Sequence, residues 1–140
     1  MMSGDLFVKA REEETLDEFA HRAAALLQVG SIERRESSSY VGEEYYKGGA
    51  LSVVVKFARA DEVDLEGYDF WIHLQPSEVW IEDPAFVDGL ADLLARRLTL
   101  AGERVVRMPN AERENSRKIF YAINESAPQG SRGRITTTDG

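Results

Sequence analysis

The sequence predicts an α+β fold, in which two helices cover one face of a mostly antiparallel sheet of five to seven strands. The main observation is the order of the segments, because strand-like and helix-like patterns follow one another as β-α-β-β-β-β-α-β(-β). A second observation is the length of 140 residues, which suits one domain with a core that needs neither disulfide nor metal. We therefore expect a single domain at 1–125, whose uncovered sheet face is free for a partner.

The N-terminal segments predict a strand followed by a helix. Asp5–Ala10 is a short apolar run that suits a first strand. Thr15 and Glu18 fit a capping box, in which each side chain serves the backbone N–H of the other residue. Gly30 is the expected left-handed residue at the helix end. Between them, apolar residues recur at helical spacing: Leu16, Phe19, Ala20, Ala23, Leu26 and Leu27.

The next segments predict an edge strand and a turn. Residues 32–40 are polar on at least one face, which is typical of an edge strand or a solvated strand. Val41–Gly42 suits a turn, and residues 43–46 lead into the following strand. Gly48–Gly49 predicts a bulge or bend, because two successive glycines weaken strand pairing.

The two strongest strand patterns are Leu51–Phe57 and Tyr68–Leu74, which we expect to be neighbours in the sheet. An acidic connector, Ala60–Gly67, separates them. Alternate residues of a strand point to opposite faces. The predicted inward residues are Leu51, Val53, Val55 and Phe57, followed by Phe70, Ile72 and Leu74. On the second strand, Asp69, Trp71 and His73 share the opposite face.

A hairpin and a second helix are predicted next. Residues 75–78 suit a turn, after which Val79–Ile81 returns as a short strand. Asp83 and Pro84 are the expected N-cap and first residue of the helix, and Gly102 ends it. Its apolar stripe consists of Val87, Leu90, Ala91, Leu94, Leu98 and Ala101.

The C-terminal part predicts two more strands and a tail. The strands are Glu103–Met108 and Ile119–Ile123. Residues 126–140 contain one proline, several glycines and a threonine run, with little apolar surface. We therefore expect a mobile C-terminal tail there.

Composition limits the partners. The net charge is −8, and the acids are concentrated in residues 1–92, which carry 20 acidic and 8 basic side chains. A nucleic-acid ligand needs a basic surface, so this charge argues against nucleic acid and is compatible with a basic protein. The alternative is that the acidity serves solubility alone. No run approaches the ~20 apolar residues of a membrane span, and no export signal is visible, so we expect a cytoplasmic protein without membrane contact.

Candidate catalytic and metal sites are weak. His21 with Asp17 suits a solvated pair on a helix. His73 with Asp69 could form a base oriented by a carboxylate, but no nucleophile can be assigned to it, and a structural or interfacial histidine is favoured. The connector acids do not fit a calcium loop, and no histidine pair has zinc-ligand spacing. The chain has no cysteine, which excludes thiolate metal sites and cysteine nucleophiles. Because no catalytic, metal or cofactor motif stands out, we expect no enzyme activity, no metal and no cofactor.

Aromatic and acidic residues give the better candidate site. Tyrosine and tryptophan are enriched at protein–protein hot spots, and six of them fall in the predicted sheet region: Tyr40, Tyr45, Tyr46, Tyr68, Trp71 and Trp80. The alternative is that several belong to the core, namely Trp80 and one of the tyrosines. The predicted partner-binding residues are Glu43, Glu44, Tyr45, Tyr46, Asp61, Glu62, Asp64, Glu66, Asp69, Trp71 and His73.

Four segments also resemble a known class of proteins. They are residues 35–48 (RESSSYVGEEYYKG), 60–62 (ADE), 67–72 (GYDFWI) and 83–91 (DPAFVDGLA). In these segments the chain is similar to the small immunity proteins of bacterial polymorphic and contact-dependent toxin systems. The resemblance implies a cytoplasmic, non-enzymatic inhibitor that masks the active site of a cognate toxin, in many cases a nuclease with a basic cleft. The alternative is an accessory or adaptor protein of a bacterial secretion or assembly system. The oligomeric state is left open.

Overall fold

A computed structural model describes residues 4–50, 53–60, 65, 67–76, 84–109, 117–128 and 134–139. The fold is α+β with one antiparallel sheet, as the sequence predicts. Within the described residues the sheet has eight strands, which corrects the predicted five to seven. The elements are β1 (Gly4–Val8), α1 (Leu16–Leu27), β2 (Glu33–Glu36), a 3-10 turn (Val41–Glu43), β3 (Glu44–Ala50), β4 (Val53–Arg59), β5 (Phe70–Pro76), α2 (Pro84–Leu100), β6 (Val105–Arg107), β7 (Ile119–Ile123) and β8 (Ile135–Asp139).

The sheet has the strand order β2-β3-β4-β5-β1-β6-β7-β8. The N-terminal strand β1 is therefore internal, and all five of its residues are buried. The predicted neighbours β4 and β5 pair along seven residues each, from Val53 opposite Pro76 to Arg59 opposite Phe70. Strand β5 has β4 on one side and β1 on the other. The return strand predicted at 79–81 lies outside the described residues.

Helix α1 begins as predicted and ends earlier. The capping box is confirmed, because Thr15 Oγ1 accepts from the Glu18 N–H at 3.2 Å and Glu18 Oε1 accepts from the Thr15 N–H at 3.1 Å. The left-handed residue at the C-terminal end is Gln28, at φ 56°, so the assignment to Gly30 is wrong. The Val29 N–H then donates to Ala24 O at 2.9 Å, which closes the last turn.

The early end of α1 explains a glycine in β3. Gly48 and Gly49 pair in regular register with Val55 and Val54, so the expected bulge is absent at these two positions. A Cβ on Gly48 would lie 2.7 Å from Val29 Cγ1, which is closer than real Cβ contacts allow. Glycine is therefore needed here because the chain after α1 packs directly on the strand.

Both helices cover the same face of the sheet, as predicted. Leu6 and Val8 of β1 lie in one buried cluster with Phe19 of α1 and Leu98 of α2. The ring of Phe19 stacks on that of Phe70, with centroids 4.3 Å apart. The alternate strand residues that the sequence assigns inward are buried wherever they are described: Val53, Val55, Phe57, Phe70, Ile72 and Leu74.

The second face of the sheet is only partly open, which corrects the expectation of a free face. Phe7, Val106 and Met108 form a second buried cluster on it, together with Leu65 of the β4–β5 connector. Leu65 is 4% exposed, so the connector contributes an apolar residue that covers part of this face. The part that stays partly exposed lies over β3, β4 and β5.

The C-terminal segment contains a strand that the sequence analysis placed in a mobile tail. Ile135–Asp139 pairs with β7 over five residues. Thr136 to Asp139 are exposed, so β8 buries little apolar surface and rests on backbone pairing with β7. Threonine favours extended backbone, which a search for apolar runs overlooks.

A buried polar network joins α2 to the sheet. The Tyr121 hydroxyl donates to Asp92 Oδ1 at 2.6 Å and accepts from Arg107 Nε at 2.8 Å. Arg107 also forms an ion pair with Asp88. Burial and the hydrogen bond to Asp92 raise the pKa of Tyr121 to about 12. These contacts join residues far apart in the chain, so no local pattern predicts them.

Candidate functional site

The strand register places a row of aromatic and apolar residues across the second face of the sheet. Tyr45 lies opposite Ala58, Ala58 opposite Trp71, and Trp71 opposite Phe7. The row continues through Val106 and Phe120 to Thr138 of β8. Ala58 is the smallest side chain of the row and is 1% exposed, so the aromatic side chains on either side overlie it.

Three aromatic side chains meet over this row and form what we call the aromatic cluster: Tyr40, Tyr45 and Trp71. The rings of Tyr40 and Tyr45 stack with centroids 4.4 Å apart, and Tyr40 lies 5.9 Å from Trp71. All three are partly buried. Tyr40 belongs to the predicted aromatic set but not to the predicted site, and it joins the cluster because the 3-10 turn brings residue 40 back over β3.

A buried carboxylate on the neighbouring strand β1 holds the Trp71 side chain of the cluster in place. Asp5 of β1 is 2% exposed, and its Oδ1 accepts from Trp71 Nε1 at 2.7 Å. The same oxygen lies 2.7 Å from His73 Nδ1. Because an ionised carboxylate only accepts, this geometry assigns the ring hydrogen to Nδ1. One carboxylate thus orients both the indole and the imidazole.

The carboxylate beside His73 is therefore Asp5, which corrects the expected pairing with Asp69. Asp69 is exposed and precedes the first residue of β5. Sequence reasoning missed Asp5 because 68 residues separate it from His73. The sequence does contain one indication of this contact: Asp5 is the only carboxylate in an otherwise apolar strand. A buried acid needs a polar partner, so a contact with a distant residue could be expected.

The Asp5–His73 pair resembles a base oriented by a carboxylate, but the residues directly opposite His73 supply no hydroxyl or thiol nucleophile. The positions that flank His73 across the strands are Lys56 and Asp5, and neither carries a hydroxyl group. In the part of the chain that the structure describes, no group of three His, Asp or Glu side chains could hold a metal ion. The arrangement fixes the orientation of Trp71 and His73, which is what a binding surface requires.

Two lysines flank the aromatic cluster on β3 and β4. Lys47 and Lys56 lie directly opposite each other on β3 and β4. The Lys56 ammonium lies 5.7 Å from the centre of the Tyr45 ring, a cation–π contact. The expected acidic and aromatic face is therefore aromatic and locally basic on these strands.

Two predicted site residues, Glu44 and Tyr46, belong to the other face of the sheet. Tyr46 is 6% exposed and its hydroxyl donates to Asp17 of α1 at 2.7 Å. Burial and this hydrogen bond raise the pKa of Tyr46 to about 12. Glu44 shares its face and pairs with Arg34 at 2.9 Å. Among the tyrosines of the predicted aromatic set, Tyr46 is thus the one that is buried in the core.

The acids gather at one end of the sheet instead. A cavity of about 480 Å³ there is lined by residues that include Glu12, Glu13, Val41 and Asp69, which we call the acidic groove. The three acids form no ion pair within the described residues. Arg59 also lines the cavity. Val41 follows Tyr40 in the chain, so the groove adjoins the aromatic cluster.

Glu14, which also lines the cavity, and the nearby buried Glu103 are neutralised by arginines. Glu14 accepts from Arg22 at 2.7 and 2.8 Å, and Arg11 pairs with the buried Glu103 at 2.8 Å. The hydrogen bond from Arg22 lowers the pKa of Glu14. These contacts tie the start of α1 to the residues before β6, and they leave Glu12 and Glu13 as the available acids on that side.

The predicted connector acids Asp61, Glu62, Asp64 and Glu66 lie outside the described residues. The residues on either side of them are described, and the Ala60 N–H donates to Asp69 O at 2.8 Å. Ala60 and Asp69 both line the acidic groove, so the connector leaves the sheet and returns to it at the groove. The remaining predicted acid, Glu43, is exposed in the 3-10 turn.

Comparisons with known proteins add no assignment. Among the described residues, no helix has the length and apolar character needed to cross a membrane. No family model, no curated protein and no solved structure matches the chain.

Proposed function

We propose that this chain is a non-enzymatic inhibitor of the immunity type, which binds a basic toxin domain at the acidic groove and the adjoining aromatic cluster. The observation that carries the proposal is the contiguity of the two surfaces. Tyr40 packs in the cluster, and the next residue, Val41, lines the groove. A partner placed over Val41 therefore contacts exposed carboxylates and aromatic side chains together.

Charge supports a basic partner. The chain carries a net charge of −8, and Glu12, Glu13 and Asp69 of the groove form no ion pair within the described residues. The electric field of such unpaired acids can raise the association rate with an oppositely charged protein by about 10–10³-fold, and salt weakens this effect. A toxin that acts on nucleic acid has a basic cleft, and such a cleft is complementary to the groove.

The aromatic cluster supports tight binding after the encounter. Hot spots at interfaces are rich in tyrosine and tryptophan, because these side chains combine a large apolar area with one polar group. Trp71 is held in place by Asp5, and Tyr45 by Tyr40 and Lys56, so little conformational entropy is lost when a partner binds. Lys47 and Lys56 at the margin suit a carboxylate of the same partner.

The proposed interface revises the predicted one. It keeps Glu43, Tyr45, Asp69, Trp71 and His73 together with the four connector acids, and it adds Tyr40, Glu12 and Glu13. It leaves out Tyr46, which contacts α1, and Glu44, which lies on the same face of β3 and pairs with Arg34. The inhibitor would act in the cytoplasm, where a toxin reaches its target and where the resemblance places immunity proteins.

An immunity gene is expected beside the reading frame of its toxin, so the rate of association with the product of the adjacent reading frame tests this proposal. A variant carrying Glu12→Gln, Glu13→Gln and Asp69→Asn should associate about tenfold more slowly at low salt, with a weaker dependence on salt. The matched control carries Glu36→Gln, Glu125→Gln and Asp139→Asn, which removes the same charge from exposed positions away from the groove.

The two variants distinguish attraction of the toxin by the acids of the groove from attraction by the net charge of the whole protein. Equal association rates for both would contradict the groove as the docking site. Failure of the wild type to bind or inhibit the adjacent toxin would contradict the immunity proposal itself and favour the accessory or adaptor alternative.

A further inference from the structure

The two edge strands of the sheet differ sharply in chemistry. An edge strand presents backbone N–H and C=O groups that can pair with another chain, and natural proteins protect such edges with charge. Strand β2 reads Glu-Arg-Arg-Glu, whereas β8 reads Ile-Thr-Thr-Thr-Asp. Within the described residues, each ends the strand order and pairs on one side only.

The sequence of β2 disfavours pairing with itself. In an antiparallel pair of two β2 strands centred on the segment, Glu33 lies opposite Glu36 and Arg34 opposite Arg35. Every pair then opposes like charges, which is destabilising. Within one molecule the same side chains form ion pairs, Arg34 with Glu36 at 2.9 Å and Arg35 with Glu33 at 2.7 Å. This edge is protected.

The register of β8 shows which backbone groups remain available. The Asn124 N–H donates to Arg134 O at 2.7 Å, which makes these residues a hydrogen-bonded pair at the start of the β7–β8 ladder. Such pairs alternate along an antiparallel ladder. Thr136 and Thr138 therefore direct their backbone groups to β7, whereas Ile135, Thr137 and Asp139 direct theirs outward.

We propose that β8 is a self-association edge, on which β8 of a second copy pairs in antiparallel orientation centred on Thr137. In this register Thr137 lies opposite its counterpart, and Ile135 lies opposite Asp139 of the second copy. The three outward-facing residues of each strand then form about six backbone hydrogen bonds. Thr136 faces Thr138 of the second copy, a favourable cross-strand pair, and no like charges are opposed.

This edge is far from the proposed toxin-binding surface. Four strand steps separate Trp71 on β5 from β8, which is about 19 Å at the usual strand spacing. Two copies joined through β8 form one continuous sheet and keep both aromatic clusters accessible. Pairing through β8 therefore does not depend on the proposed function.

The net charge of the protein determines how self-association should depend on salt. Each copy carries −8, so two copies repel at low salt, and screening by salt should strengthen their pairing. Association with a basic toxin should change in the opposite direction.

Sedimentation equilibrium of the full chain at several concentrations and salt levels tests the proposal. Wild type should show a concentration-dependent dimer that strengthens with salt. Thr137→Pro removes an outward N–H, and Thr137→Lys opposes two like charges at the centre of the pair, so each should weaken dimerisation at least tenfold. Ser39→Lys makes the same charge change at an exposed loop position and should dimerise as wild type does.

Circular dichroism of each variant reports whether the fold is kept. A wild type that stays monomeric at all concentrations overturns self-pairing and assigns the edge to a strand of another protein or to none. A Thr137→Lys variant that is folded and dimerises as strongly as wild type overturns the proposal as well, because the dimer then uses another surface.

Discussion

At the scale of single residues, Asp5 orients two side chains on the second sheet face, Trp71 and His73. One buried oxygen contacts both the Trp71 indole and the His73 imidazole at 2.7 Å. A carboxylate with such contacts is costly to remove, because its partners are then left unsatisfied in a place that water reaches poorly.

Asp5→Ala should lower the free energy of unfolding by about 2–4 kcal/mol, since two donors lose their acceptor. Asp69→Ala is the control, because Asp69 is an exposed carboxylate next to β5, and its removal should change stability by less than about 0.5 kcal/mol. Urea unfolding followed by circular dichroism measures both. A larger effect of Asp69→Ala would mean that the original pairing of His73 with Asp69 describes the protein better.

Tyr121 gives a prediction for alkaline pH. Burial and the hydrogen bond to Asp92 raise its pKa from 10.0 to about 12 in the folded state. Its contribution to stability is complete below pH 10, and it is lost as pH rises towards about 12, because the unfolded chain releases the proton first. Tyr121→Phe should therefore lose stability less steeply with rising pH in this interval than wild type.

Tyr46 is expected to contribute to the same pH dependence, since its pKa is also raised to about 12. The double variant Tyr46→Phe with Tyr121→Phe should consequently show the shallowest slope of unfolding free energy against pH. A slope unchanged from wild type in the double variant would show that neither phenol is held in its neutral form by the fold.

At the scale of elements, the close approach of α1 to β3 depends on Gly48. Gly48→Ala should destabilise the protein by about 1–3 kcal/mol, because the new Cβ meets Val29 Cγ1 at 2.7 Å and Ile32 Cγ2 at 2.9 Å. Gly49→Ala is a matched control on the next residue, where the nearest atom, Val53 O, is 3.7 Å away. We expect it to be neutral or slightly stabilising, with urea unfolding as the measurement.

Comparable losses for both glycine variants would contradict close packing as the reason for Gly48. Such a result would favour a requirement for glycine along the whole segment, as in the bulge that the sequence pattern predicts.

Features encoded within a few residues could be predicted from the sequence. The Thr15–Glu18 capping box is one, and the alternation that buries Phe70 while leaving Trp71 on the other face is another. The pairing of β4 with β5 followed from the strength of the two strand patterns. Each of these depends on residues that the chain itself brings close.

Features that depend on distant pairing could not be predicted. The contact of Asp5 with His73 requires the N-terminal strand to lie beside β5, and no local pattern contains that information. The close packing on Gly48 and the strand at Ile135–Asp139 likewise depend on neighbours that only the assembled sheet provides. The acidic groove combines residues from the start of α1 with Asp69 for the same reason.

At the scale of the whole molecule, the two faces and the two edges of the sheet differ in what they contact. One face holds the helices and the main core. The other carries the aromatic cluster, with the acidic groove at its end. Edge β2 is protected by charge, and edge β8 is proposed for self-pairing. Salt should weaken binding of a basic toxin and strengthen the pairing of two copies, so one salt series distinguishes the two surfaces.

The dissociation constant of the Tyr45→Ala variant for the expected toxin, the product of the adjacent reading frame, tests most directly whether the partner binds at the aromatic cluster. Tyr45 is partly exposed in the aromatic cluster, and loss of such an anchor should weaken binding by roughly 2 kcal/mol, about 30-fold. Thr138→Ala, on the same sheet face at the β8 end, should bind as wild type does. An unchanged dissociation constant for Tyr45→Ala, in a variant that remains folded, would contradict the aromatic cluster as the site where the partner binds.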